Sequence, residues 1–161
     1  MEDELSIFPT IILMATDGSK EADLALATAA DLAKNTGSEL HLTTVSSEVP
    51  DFDYMVRNYP FQDAEEALRA FEQEPRRLLE EQVRKIEQAG GAVREVHLRV
   101  GEPPDRAIVR LGEEIDAGLI VMGSRGRGKM RRALLGSVSD SVVRYAHCPI
   151  LVVRESNDVA V

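Results

Sequence analysis

Five short apolar runs, rich in β-branched side chains and separated by stretches of helical periodicity, constrain this chain more than any other feature. Alternating strand and helix signals fit a parallel sheet with helices on both faces, joined by right-handed crossovers. The first run, Thr10-Ile11-Ile12-Leu13-Met14-Ala15, is nearly continuous, as expected of a strand buried on both sides. Thr16-Asp17-Gly18-Ser19 breaks it, and Ser19 is a suitable N-cap for a helix over 20–35 that ends at Gly37. A second strand is predicted over Leu40–Val45. Residues 46–62 combine Pro50, Pro60, aromatics and acids, and the stretch to about 75 reads as an irregular insertion. Asp63-Ala64-Glu65-Glu66 resembles a capping box, and Pro75 is expected to kink or interrupt the helix it opens.

Leu78, Leu79, Val83 and Ile86 form the apolar stripe of the next helical stretch, which Gly90-Gly91 stops. Val93–Val100 alternates in period two, which fits a strand near a sheet edge. A proline turn at 103–104 leads into a helix whose buried face is Ile108, Leu111 and Ile115. Gly118–Met122 is a short apolar strand, a glycine- and arginine-rich loop spans 123–136, a helix follows to about Tyr145, and Pro149–Val153 is a fifth strand. The expectation is one α/β domain over residues 1–161, a three-layer sandwich around a five-stranded parallel sheet, with acidic N-terminal and short C-terminal tails. In such sheets ligands sit beyond the carboxyl ends of the strands, where strand order reverses.

Composition narrows the function classes. The 161 residues are 43% apolar, enough for one sizeable core, and carry 28 acids against 19 bases, a net of −9. That balance argues against a nucleic-acid coat. A single cysteine, Cys148, allows no intramolecular disulfide or cysteine zinc cluster, and it reads as a small core residue. The acidic N-terminus is not a secretory signal, and no apolar run approaches the ~18 residues of a membrane span. A cytoplasmic protein without nucleic-acid or membrane partners is expected.

The charge is unevenly placed. Between Asp116 and Asp140 there is no acid, but there are Arg125, Arg127, Lys129, Arg131 and Arg132. This island of +5 on a body of −14 suits a small anion. Gly123, Gly126 and Gly128 let backbone amides turn toward an anion, and Gly136-Ser137-Val138-Ser139 opens a helix whose free N–H groups and hydroxyls converge. Two separated pieces thus form one phosphate site. Gly123-x-x-x-x-Gly128-Lys129 also fits seven places of a Walker A loop, but Met130 stands where a magnesium-binding hydroxyl belongs.

The spacing Gly123-x-x-Gly126, nine residues, Gly136-Ser137 resembles that of the ATP-binding universal stress proteins. Ile12–Ser19, Leu119–Gly126 and His147–Val153 resemble the same family, and the likeness spans nearly the whole chain. It implies an adenine nucleotide α-hydrolase-like fold with strand order 3-2-1-4-5. It implies ATP, or ADP or AMP, bound at the ends of strands 1 and 4, with Mg2+ or Mn2+ carried by the phosphates. Asp17 would contact ribose, beside Ala15 and Thr16; Val45 would offer backbone groups to adenine; Met122 and Gly123 would lie near the ribose. Arg125, Gly126, Arg127, Gly136, Ser137, Val138 and Ser139 would surround the phosphates. Members dimerise through the last strand, which implies a homodimer through Ile150–Val153.

Catalysis has little support in the sequence. His41, His97 and His147 are scattered and read as strand-face or turn residues. No Ser–His–Asp set, metal-binding histidine pair or paired carboxylates falls near the predicted crevice. The reading is a stress-response regulatory or signalling protein that binds ATP and hydrolyses it slowly at most. A hydrolase using Lys129 and a dimeric interaction protein without nucleotide are the alternatives.

Overall fold

The structure is a computed structural model that describes residues 5–49, 51–58, 60–125 and 135–155. Its strands are β1 (Ile11–Ala15), β2 (Glu39–Ser46), β3 (Glu95–Val100), β4 (Leu119–Gly123) and β5 (Ile150–Val153). The helices are α1 (Lys20–Thr36), α2 (Phe52–Asn58), α3 (Phe61–Gln88), α4 (Pro104–Glu114) and α5 (Ser137–Tyr145). All neighbouring strands are parallel and their order is β3-β2-β1-β4-β5, as expected.

Strand alternation divides the core in two. Ile12, Met14, Leu40, Leu42, Leu119 and Val121 face α1 and α3, meeting Ala25, Leu26, Ala29, Leu79 and Ile86. Leu13, Ala15, Ile120 and Met122 face α4 and α5, meeting Ile108, Leu111 and Val142. Residues 12–14 are fully buried, which is why β1 reads as a continuous apolar run. Cys148 is partly buried against the second cluster.

Ser19 caps α1 as predicted, its hydroxyl accepting from Ala22 N at 3.2 Å. Gly37 ends that helix at φ 69°, a left-handed conformation that glycine adopts without steric cost.

The segment after β2 departs from expectation. Residues 52–58 form α2, and α3 starts at Phe61 after Pro60, so Asp63 lies in the first turn and is not the cap. Nor does Pro75 interrupt α3, which runs 28 residues. Proline removes one helix hydrogen bond, but the ion pair of Arg76 with Glu72 spans that turn and the pair of Arg69 with Glu65 lies before it. Further along, Leu79 and Ile86 anchor the helix in the core. Loop-like composition therefore misled because the buried stripe beyond Pro75 outweighs one breaker. β3 begins at Glu95, two residues later than predicted, and β3 and β5 are the sheet edges.

Candidate functional site

The strand order reverses between β1 and β4, so the loops leaving their carboxyl ends flank one crevice. Ala15, Thr16, Asp17, Ala22, Thr43, Thr44, Val45, Pro104, Ile108, Gly123, Arg125 and Val138 line it. Seven of these are predicted site residues: Ala15, Thr16, Asp17, Val45, Gly123, Arg125 and Val138.

The floor is held by bonds to main-chain carbonyls. Thr16 N donates to Thr43 O at 2.9 Å, and Thr44 Oγ1 donates to Thr16 O at 2.7 Å. Together they fix the end of β1 against β2. Asp17 Oδ1 accepts from Ser19 N at 2.9 Å and Thr16 Oγ1 from Gly18 N at 3.2 Å, while Gly18 takes φ 75°. The carboxylate is thus oriented by its own turn, with acceptor capacity left over. Gly123 faces the start of α1: a Cβ there would lie 3.1 Å from Ala22 N and from the Glu21 carbonyl carbon. Only a bare backbone lets β4 and α1 approach this closely.

The second predicted piece joins the first through one carbonyl. Ser124 O accepts from Gly136 N at 2.6 Å and from Ser139 Oγ at 2.8 Å. Gly136 therefore sits against the residue after Gly123, with a hypothetical Cβ 3.1 Å from Ser124 O. Gly136 caps α5 without a side chain, so the first-turn amides of α5, beginning at Ser137, receive no side-chain cap. Such a helix start offers N–H groups to an anion. Ser139 is buried and serves this junction. Met122 is a core residue and not part of the lining. Gly126, Arg127 and the Walker A-like residues Gly128 and Lys129 lie outside the described residues.

Glu21 is a participant that the sequence reading missed. Its Oε2 accepts from Ser124 Oγ at 2.5 Å and from Arg125 N at 2.8 Å, and its Oε1 from Glu155 N at 3.5 Å. Burial pushes this carboxyl up, but the Ser124 hydroxyl, the two amides and the Arg125 charge outweigh it and hold it below the usual range. No signal marked Glu21, because an acid in a first helical turn is common for dipole reasons alone. Thr43 and Thr44 were also missed; both are buried polar residues in a strand, 0% and 5% exposed.

The universal stress protein family matches residues 10–154, nearly the whole length described above. The chain belongs to that family. A curated universal stress protein of Staphylococcus aureus strain USA300 is 35% identical to this family member over 150 residues, covering 89% of this chain and 82% of the other. Among solved structures, a universal stress protein in complex with cAMP superposes with a TM-score of 0.63 at 25% identity, covering 92% of this chain and 99% of that one. The Archaeoglobus fulgidus universal stress protein in complex with dAMP does so at 0.60 and 25%, with the same coverage. No helix among the described residues of this universal stress protein is long and apolar enough to cross a membrane.

Proposed function

We propose that this universal stress protein binds ATP in the crevice between β1 and β4 and acts as a regulatory or signalling module in a stress response. The supporting observation is the junction at Ser124, where Gly136 and Ser139 meet the strand end carrying Gly123, beside the Asp17 turn. Relatives of the same fold bind cAMP and dAMP, which supports an adenine nucleotide as the ligand. The residues present fit such a group. The Asp17 carboxylate accepts from ribose hydroxyls, the end of β2 at Val45 offers backbone groups to the base, and the uncapped start of α5 faces phosphate. Mg2+ or Mn2+ enters with the phosphates, neutralising their charge. Asp17, the carboxylate among the described lining residues, is engaged by the Ser19 amide in its own turn, which supports hydrolysis that is slow at most. The edge strand β5 is the proposed homodimer interface, because an unpaired parallel edge is a template for another copy.

The test is ATP-dependent thermal stabilisation. Ligand at about 100 times its dissociation constant adds ~2.7 kcal/mol, or roughly 5–10 °C for a chain of this size. Gly136→Glu places a carboxylate against Ser124 O and abolishes the shift. No shift at millimolar ATP, or a Gly136→Glu variant indistinguishable from wild type, refutes the reading.

A further inference from the structure

A second polar cluster lies on β2 and β3, nearer their amino-terminal ends than the crevice, where the sequence suggested only isolated histidines. His41 in β2 and Glu95 in β3 are register partners, and His97 follows Glu95 by two residues, so all three share one face of the sheet. His41 Nδ1 and His97 Nε2 are 3.1 Å apart, and Glu95 Oε2 lies 3.5 Å from the first and 3.6 Å from the second. The ring centroids are 5.3 Å apart with planes only 14° from parallel, so the two nitrogens point toward each other. They lie within hydrogen-bond distance, the donor being set by the tautomer.

We infer that His41, His97 and Glu95 form a binding site for a divalent transition metal of the zinc class, distinct from the nucleotide crevice. Four-coordinate zinc holds nitrogen and oxygen ligands at about 2.0–2.2 Å, which sets neighbouring donors roughly 3.3–3.5 Å apart. The triangle, with edges of 3.1, 3.5 and 3.6 Å, is close to that size. Each ring turns out of their mutual line, by roughly 40°, for both lone pairs to reach one ion. Two imidazoles and a carboxylate, with a fourth position open to water, are a common zinc donor set.

A second observation points the same way. His41 is 5% exposed, between the fully buried Leu40 and Leu42, and its Nε2 is buried without a hydrogen-bond partner. Leaving such an atom unpaired is costly, yet the carboxylate of Glu39 stands 3.6 Å away. With Nδ1 on the metal, the proton of His41 resides on Nε2 and faces Glu39, the outer-shell arrangement that orients metal-binding histidines. Burial and the neighbouring His41 push the pKa of His97 down, against the opposing effect of Glu95. On binding, a proton shared by the facing nitrogens shifts to an outer ring nitrogen, so that both inner lone pairs face the ion.

The experiment titrates nucleotide-free protein with Co2+ and Zn2+, reading cobalt d–d bands and competition with a chromophoric chelator. One equivalent binds to wild type and to His147→Ala, whose histidine is exposed and outside the cluster. His97→Ala and Glu95→Gln weaken binding by at least the about 10–100-fold typical of lost metal-site partners. Both side chains are at the sheet edge, and circular dichroism verifies their folding. Absence of binding in wild type, unchanged affinity in folded His97→Ala, or loss of binding in His147→Ala overturns the inference. Because the ATP-dependent thermal shift is measured separately, failure here leaves the nucleotide reading intact.

Discussion

Removing the Glu21 carboxylate tests how the two halves of the crevice are locked together. In Glu21→Ala the Ser124 hydroxyl, 1% exposed, loses its acceptor, and so does Arg125 N. A buried donor left unpaired costs about 1–3 kcal/mol, and bonds to charged groups contribute about 1.5–3 kcal/mol. The expected loss is about 2–3 kcal/mol, which lowers the melting temperature by roughly 5–10 °C at this chain length. Glu21→Gln keeps an amide oxygen in the same place. Only charge assistance disappears, about half the bond strength, so the loss is about 1 kcal/mol.

The pH dependence adds a second readout. Because Glu21 is held below its ordinary range in the folded protein, its contribution is present above the unfolded-state value, about 4.3. It fades as pH falls through the lower folded-state value. Calorimetry of wild type and Glu21→Gln therefore gives a constant difference at neutral pH that closes in acid. A Glu21→Ala variant melting within about 1 °C of wild type, or a Gln difference unchanged in acid, refutes the argument.

Other expectations follow from single contacts. Gly123→Ala pushes a methyl against the α1 backbone and lowers ATP affinity tenfold or more by calorimetric titration; wild-type affinity contradicts the close-approach argument. Gly118→Ala places Cβ 2.0 Å from Thr10 Oγ1, so about 1–3 kcal/mol of stability is lost in urea denaturation. Pro75→Ala restores a helix hydrogen bond and raises the melting temperature, since proline costs ~3 kcal/mol in a helix interior. Burial pushes the Cys148 thiol above its usual range, so a disulfide reagent at pH 8 modifies it far more slowly in folded than in denatured protein.

Local patterns made the sheet and half of the crevice legible. β1 is buried on both faces, and its apolar continuity says so without reference to any other segment. Ser19 and Gly37 announce α1 because caps are satisfied by neighbours within a few residues. Asp17 and Gly123 were readable as residues of the crevice lining because strand ends in a parallel sheet must be followed by loops on one side, and Gly136 as the start of a helix. The stretch from 46 to 75 failed on the same ground: its prolines and acids are local signals, whereas α3 is anchored by Leu79 and Ile86, beyond that stretch, in the core.

By itself, the sequence determined the five strands, their parallel sense and the pair of loops that frame the crevice, since each follows from the chemistry of adjacent residues. Tertiary structure alone decided which distant groups touch. Glu21 meets Ser124 across 103 positions, and His41 meets His97 across 56, because strand register and helix docking bring them together. Neither pairing leaves a periodic trace in the chain: a single polar residue between two leucines looks the same whether it faces water, another imidazole or a metal ion.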